Sequence, residues 1–170
     1  NQGISAATRI LPIIDQKNEI SEPKDAENLN ISKAKINFID INFSYNRDEK
    51  NVLKSLNLEF NPGKMTSLVG ESGAGKSTIL NLIPRIYDPD SGEIKIDEQS
   101  IKKYSIKSLR DKISLVSQET TLFDDSIINN IKYSNENASY DEIIEVAKLS
   151  HCDEFIQKLP NKYQTFIGDE

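Results

Sequence analysis

The chain has no tryptophan, one cysteine, one methionine and one histidine in 170 residues. A lone Cys152 excludes an internal disulfide, which fits a reducing compartment. Nothing nearby in sequence clearly lowers its pKa, so an ordinary half-buried residue is expected there, with a reactive thiol as the minor alternative. No run approaches the roughly 20 apolar residues that span a bilayer, and the first residues do not read as a secretory signal. Positive charge is short: the net charge is −6. General attraction to nucleic acid is therefore not expected, and any anion binding must be local. There are no internal repeats and no low-complexity tract.

What is present suits one globular domain of ordinary size, with 36% hydrophobic and 28% charged residues. The chain begins at Asn1 rather than Met and ends in Gly168-Asp169-Glu170. It reads as a piece of something longer.

One stretch organises the rest: Gly70-Glu71-Ser72-Gly73-Ala74-Gly75-Lys76-Ser77-Thr78. Gly, four residues, then Gly-Lys-Ser is the pattern of a phosphate-binding loop. Glycines let a backbone turn tightly and approach a polyphosphate, because they carry no Cβ. The turn aims several N–H groups at the anion. A helix beginning near Lys76 adds its free N–H groups and positive dipole end. Lys76 supplies a mobile cation for the β and γ phosphates, and the Ser77 hydroxyl is placed to bind Mg²⁺. The flanks agree. Met65-Thr66-Ser67-Leu68-Val69 is a short strand-like run, and Ile79, Leu82, Ile83 and Ile86 mark one helical face over 77–86. The competing reading, a glycine-rich turn that merely caps a helix, leaves the Lys-Ser pair unexplained.

In chain order, residues 1 to about 14 carry Ile4, Ala7, Ile10, Leu11 and Ile14 at helical spacing, with Pro12 ending or kinking the helix near Leu11. Residues 15–34 are polar and charged and read as an extended or partly disordered linker. Ile36–Tyr45 alternates mostly with a period of two, and Val52–Phe60 does the same after a polar turn, so both are strands. Glu93–Asp97 is a short strand and Ile113–Val116 a buried one. Helices are expected over 105–112 with Ser105 as N-cap, over 126–132, over 140–149 with Ser139 as cap, and over 153–159 before Pro160. A short turn makes the early strands antiparallel, whereas the phosphate-loop unit calls for a parallel core.

Several spacings then agree at once: Phe43-Ser44-Tyr45 before the first turn, the phosphate loop, Tyr87-Asp88-Pro89 with Gly92, Leu109-Arg110, Val116-Ser117-Gln118, Leu122-Phe123-Asp124 and Asn130-Ile131. With these residues the chain resembles the nucleotide-binding domain of an ABC transporter, of the exporter type (similar to lipid A and multidrug exporters) in which membrane and ATPase parts are fused. The resemblance covers residues 36–170. It implies an α/β fold of the P-loop NTPase class: a RecA-like parallel core, an antiparallel β flank and an α-helical subdomain, in truncated form. On this basis residues 1–20 resemble the end of the last membrane helix and its connector. Residues 21–34 form a linker, 35–125 the ATP-binding core, 126–162 the helical subdomain, and 163–170 the loop preceding the family's signature motif.

The resemblance also implies roles. ATP and Mg²⁺ are the expected ligands. Residues Gly70, Glu71, Ser72, Gly73, Ala74, Gly75, Lys76, Ser77 and Thr78 hold the nucleotide. Tyr45 matches the aromatic that stacks on adenine, chemistry suited to a flat π surface, although a core tyrosine at a strand end is the plain alternative. Val52 matches an apolar contact to the same base. Gln118 matches the glutamine that reaches Mg²⁺ and the attacking water, so Lys76 and Gln118 are the catalytic candidates, with Ser77 and Gln118 on the metal. Partners implied are a second nucleotide-binding domain, head to tail, in a homo- or heterodimer, and a membrane domain met through the 118–124 and 163–170 loops, with no nucleic acid. The implied location is the cytoplasmic face of a membrane, such as a bacterial inner membrane.

The chain also departs from the family pattern. Glu98 follows Asp97 where glycine is usual, which puts the type of that turn in question. Phe166 stands where an acidic residue is common, and Asp169-Glu170 replaces an acidic-then-basic pair. The Leu-Ser-Gly-Gly-Gln signature, the Walker B aspartate with its catalytic glutamate and the switch histidine do not occur within these 170 residues. His151 lies too early to be that switch and reads as structural. The expected activity is ATP binding and hydrolysis coupled to export of a lipid, drug or peptide, with these 170 residues alone binding nucleotide but not hydrolysing it. Other readings are a soluble ATPase of the same superfamily that moves no solute, a non-catalytic ATP-sensing subunit of a heterodimer, and a small P-loop kinase or GTPase. The last predicts neither Tyr45 before the loop nor the context of Gln118.

Overall fold

The computed structural model describes residues 8, 10–12, 14, 20–46, 51–118 and 121–168. It divides into two compact units, residues 1–115 and 116–170. The secondary elements are β1 (Ile36–Phe43), β2 (Leu53–Phe60), α1 (Lys76–Leu82), β3 (Ser91–Ile96), β4 (Gln99–Ser100), α2 (Ile106–Arg110), β5 (Asp125–Ser126), α3 (Ile127–Lys132), α4 (Tyr140–Leu149), α5 (Asp153–Ile156) and β6 (Phe166–Ile167).

In the first unit a four-stranded antiparallel sheet runs in the order β2-β1-β3-β4. Its strands are irregular for a reason visible in β1. Phe38, Ile41 and Phe43 are buried while Ile39 is exposed. Phe38 and Ile41 are three apart, so strict alternation would place them on opposite faces. A bulge with Asp40 at φ 49 restores both to the core side. Ser55 in β2 is bulged in the same way, at φ 44. The two displaced N–H groups are not orphaned: Asp40 N donates to Asn57 Oδ1 at 3.0 Å, and Ser55 N to Asn42 Oδ1 at 2.9 Å. Across from the bulge, a Cβ on Gly92 would overlap the Asp40 and Ile39 carbonyl oxygens, so only glycine permits β3 to lie there. The sheet covers a core that includes Ile79 and Leu82 of α1 and Leu109 of α2.

The β3–β4 turn keeps the two-residue hairpin form without glycine, with Asp97 at φ 49 and Glu98 at φ 68. Asp97 has a second task. Its carboxylate accepts from the backbone N–H of Ser32, Lys33, Ala34 and Lys35 and from the Ser32 hydroxyl. Those bonds, led by the one from Lys33, hold its pKa far below the usual carboxylate range.

Segment 20–34 carries no helix or strand, as expected of a linker, but it is pinned rather than loose. Leu29 is buried, its N–H donates to Ser108 Oγ, and Glu27 bridges to Tyr104. At the N-terminus, Thr8, Ile10, Leu11, Pro12 and Ile14 are helical, while Ile4 and Ala7 of the expected helix lie outside the described residues. A proline removes one ladder bond, which bends a helix without having to stop it.

Two expected strands are corrected. Met65–Val69 and Ile113–Val116 belong to no sheet. Met65, Val69 and Val116 are each more than 90% exposed. A strand exists only through a ladder, and none of the described residues pairs with either run. The antiparallel flank is thus formed, while the parallel pairing expected of these two runs is absent among the described residues.

In the second unit β5 pairs with β6, and α3 and α4 pack on Ile156 and Tyr163. Ser126 caps α3, and Ser139 forms a full capping box with Glu142 on α4. No helix among the described residues is long and apolar enough to cross a membrane.

Candidate nucleotide site

The phosphate loop is built by backbone geometry. Gly73 at φ 81 and Gly75 at φ 83 both occupy the left-handed region, which residues with a Cβ enter only with strain. Gly75 is also crowded: a Cβ there would come within 2.8 Å of Leu53 Cδ2 and 3.3 Å of Val52 Cγ1. The loop therefore sits against the start of β2, and Val52 lies beside it. α1 begins at the next residue, with no side-chain cap on its first N–H groups. Those donors face outward for want of an intrahelical acceptor.

Lys76 folds back over the loop. Its Nζ donates to the carbonyl oxygens of Gly70 at 2.9 Å and Glu71 at 2.6 Å. These are weaker acceptors than an ionised phosphate oxygen. Ser77 is exposed in the first turn of α1, while Thr78 and Ile79 turn inward and fasten the helix to the core. The exit of α1 is fastened too. The Arg85 guanidinium makes two bonds to Asp88, 2.9 and 2.8 Å, and a third to the Ser21 carbonyl. Arg110 of α2 donates to the carbonyls of Pro84 and Arg85.

Tyr45 follows β1 and reaches α1, with its phenol oxygen 2.8 Å from Thr78 Oγ1. Its ring is 47% exposed. The first unit thus brings together Tyr45, Val52, Gly70, Glu71, Ser72, Gly73, Ala74, Gly75, Lys76, Ser77 and Thr78. Gln118 belongs to the second unit, where it is exposed. Tyr87 was visible in the sequence within Tyr87-Asp88-Pro89 but carried no role there. It meets Tyr45 edge-on, with ring centroids 5.2 Å apart. In the first unit the Ser77 hydroxyl, exposed at the start of α1, is the side-chain oxygen that would hold Mg²⁺. No cluster of three or more acidic, cysteine or histidine ligands occurs among the described residues. A sparse oxygen set fits an ion that keeps waters and takes its remaining ligands from phosphates.

The two loops expected to meet a membrane domain adjoin one another in the second unit. β5 follows the 118–124 loop directly and pairs with β6, and a Cβ on Gly168 would overlap Asp124 Oδ1. Asn130 holds the first loop through its side-chain amide. It accepts from Phe123 N at 2.8 Å and donates to Phe123 O at 3.0 Å. Phe123 stacks on Tyr133 at 4.1 Å, and Leu122, Phe123 and Phe166 are all about half exposed or more. His151 is exposed, with its Nδ1 3.6 Å from Glu154 Oε1. At φ 59 it ends α4 in a left-handed cap, where His151 N donates to Lys148 O and Cys152 N to Ala147 O.

Comparison with known proteins agrees with this geometry. The ABC transporter family model matches residues 53–166. An ATP-dependent lipid A-core flippase of Coxiella burnetii is 40% identical over 170 residues, covering 99% of this chain and 28% of the flippase. ABC transporter B family member 14 of Arabidopsis thaliana is 42% identical over 173 residues, 99% of this chain and 14% of that protein. Among solved structures, a bacterial Atm1-family ABC exporter with ATP bound superposes with a TM-score of 0.91 at 36% identity, over 99% of this chain and 30% of the exporter. The chain thus spans less than a third of the length of these relatives. A phosphate loop of this build, an aromatic anchored to its helix and similarity to exporters over nearly every residue make the conclusion plain: the chain belongs to the ABC transporter family and has the fold of its P-loop ATPase domain.

Proposed function

We propose that the chain is the ATP-binding part of an ABC exporter, in which ATP binding and hydrolysis drive transport of a lipid, drug or peptide across a membrane. The observation that carries this reading is the convergence on α1. One short helix presents Lys76 and Ser77 to a polyphosphate and holds Tyr45 through Thr78. On binding, Lys76 exchanges two backbone carbonyls for phosphate oxygens, and the loop N–H groups take the remaining charge. Tyr45 stacks on the base, with Val52 as an apolar neighbour. Ser77 and Gln118 are the residues that would hold Mg²⁺, which would supply positive charge to the transferring phosphoryl group. Gln118 orients water for in-line attack.

The 118–124 and 163–170 loops are the parts that meet a membrane domain on the cytoplasmic side, and their described ends adjoin at Asp124 and Gly168. A second ATPase domain completes each site head to tail. These 170 residues bind the nucleotide without turning it over, since they contain no signature motif and no catalytic glutamate.

The test is calorimetric titration of the chain with ATP and Mg²⁺, alongside phosphate-release measurements. Saturable binding lost in Lys76→Ala, with no release above buffer, is expected. Binding that survives Lys76→Ala would remove the loop from the site, and turnover abolished by Lys76→Ala would refute the claim of inactivity.

A further inference from the structure

The Tyr45 ring is nearly half exposed, yet it is held on three sides. Phe43 and Tyr87 meet it edge-on, with centroids at 5.0 and 5.2 Å and interplanar angles of 83° and 86°. Phe43 and Tyr87 also contact one another at 5.7 Å. At the far end, the phenol oxygen is bonded to Thr78 Oγ1 at 2.8 Å. Thr78 is 3% exposed, on the first turn of α1, two residues beyond Lys76. An exposed tyrosine normally moves freely about both side-chain torsions, and each contact that restrains it carries an entropic cost. Here the restraints leave open only the part of the ring that faces solvent. Edge-to-face contacts fix a ring's plane, whereas a terminal hydrogen bond fixes its reach.

We propose that Thr78 and Tyr87 are positioning residues for the nucleoside end of the site. Thr78 sets how far the Tyr45 ring extends, and Tyr87 sets its plane. The inference rests on reading Tyr45 as the base platform, and it adds a consequence. Thr78 shares its helical turn with Lys76, so the ring's placement depends on the same turn that receives the phosphates. Base and phosphate recognition are thereby coupled through one hydroxyl. A ring already in place also avoids paying its ordering entropy when ligand arrives, which is the advantage of preorganisation.

The test compares dissociation constants of the 170-residue chain for ATP and for inorganic tripolyphosphate, both with Mg²⁺. Their ratio isolates what the nucleoside adds. The expected ratio falls about fivefold in Thr78→Val and in Tyr87→Leu, the equivalent of one ordinary contact. It stays at the wild-type value in Thr78→Ser, which keeps the hydroxyl. Tripolyphosphate affinity is expected to be unchanged in Tyr87→Leu. An unchanged ratio in both folded variants, or a Thr78→Ser that behaves as Thr78→Val, overturns the proposal. If Thr78→Val melts below the assay temperature, Tyr45→Phe removes the same bond from its exposed end and carries the test with the same expected fall. Failure of the underlying reading looks different: there Tyr45→Ala leaves the ratio untouched while ATP still binds, and platform and positioning fall together.

Discussion

Gly75 and Leu53 are in contact across the floor of the phosphate loop: a Cβ on the glycine would stand 2.8 Å from Leu53 Cδ2. The loop is therefore shaped by its neighbour in β2 as well as by its own sequence. Gly75→Ala meets two penalties, a left-handed φ of 83° and this overlap with a buried side chain. A loss of about 2–3 kcal/mol of stability is expected, with ATP affinity falling together with it in a paired melt and titration. Gly73→Ala has the strained φ but open space, so about half that loss is expected.

Asp97 ties the segment before β1 to the β3–β4 turn through backbone donors from Ser32 to Lys35. Its folded pKa lies below the unfolded value of 3.8. The stability it contributes is therefore present above pH 3.8 and is lost progressively as pH falls below that value through the far lower folded one. Asp97→Asn is expected to cost about 1–2 kcal/mol at neutral pH, the site being open to water. It should also flatten the acid limb of the melting curve and speed tryptic cleavage at Lys33 and Lys35. An acid limb identical to wild type would show that the carboxylate does not hold the segment.

Glu98 occupies a left-handed position at φ 68, beside Asp97 in the same turn. Glu98→Gly relieves that strain, and a gain of about 0.5–1 kcal/mol is expected by thermal melting. ATP affinity should not change, because the turn holds none of the nucleotide-site residues. A destabilised Glu98→Gly would mean that the glutamate makes a compensating contact.

His151 closes α4 in a position that favours glycine. His151→Gly should likewise raise stability by about 0.5–1 kcal/mol in a thermal melt. A loss of stability would assign the imidazole a role beyond capping, such as its contact with Glu154.

Tyr163 is buried at 2% exposure, and its hydroxyl donates to Asp153 Oδ1 at 2.7 Å. Burial first, then the bond to Asp153, pushes its pKa from 10.0 up to about 12. A raised folded pKa means that the stabilising effect is full below pH 10 and is lost as pH rises from 10 towards 12. Alkaline unfolding of the second unit in that window, followed by phenolate absorbance, should be shallower in Tyr163→Phe. Equal alkaline slopes in the two proteins would count against this assignment.

Much of the site could be read from residue order. The phosphate loop needs glycines and a Lys-Ser pair at set spacing because its chemistry is local, and backbone donors over eight residues form the whole cradle. The caps Ser105 and Ser139 were legible for the same reason, since a cap and its helix are adjacent in sequence, whereas Ser126 was read as the first residue of its helix and the structure makes it the cap. Strand positions were legible less well. Ile39 fits the alternation of β1 yet points to solvent, because the Asp40 bulge resets the phase, and nothing in the run itself marks a bulge whose N–H is met by Asn57.

The sequence by itself determined that this chain carries a phosphate loop and belongs with ATPases, because short-range backbone chemistry suffices for that. Only the tertiary structure decided what surrounds the loop. It placed Tyr45 on Thr78 and Tyr87, closed Gly75 against Leu53, and pinned the linker to Asp97. It also left Met65–Val69 unpaired among the described residues. Each of these depends on residues distant in sequence meeting in space, and a run of apolar residues becomes a strand only when another strand lies beside it.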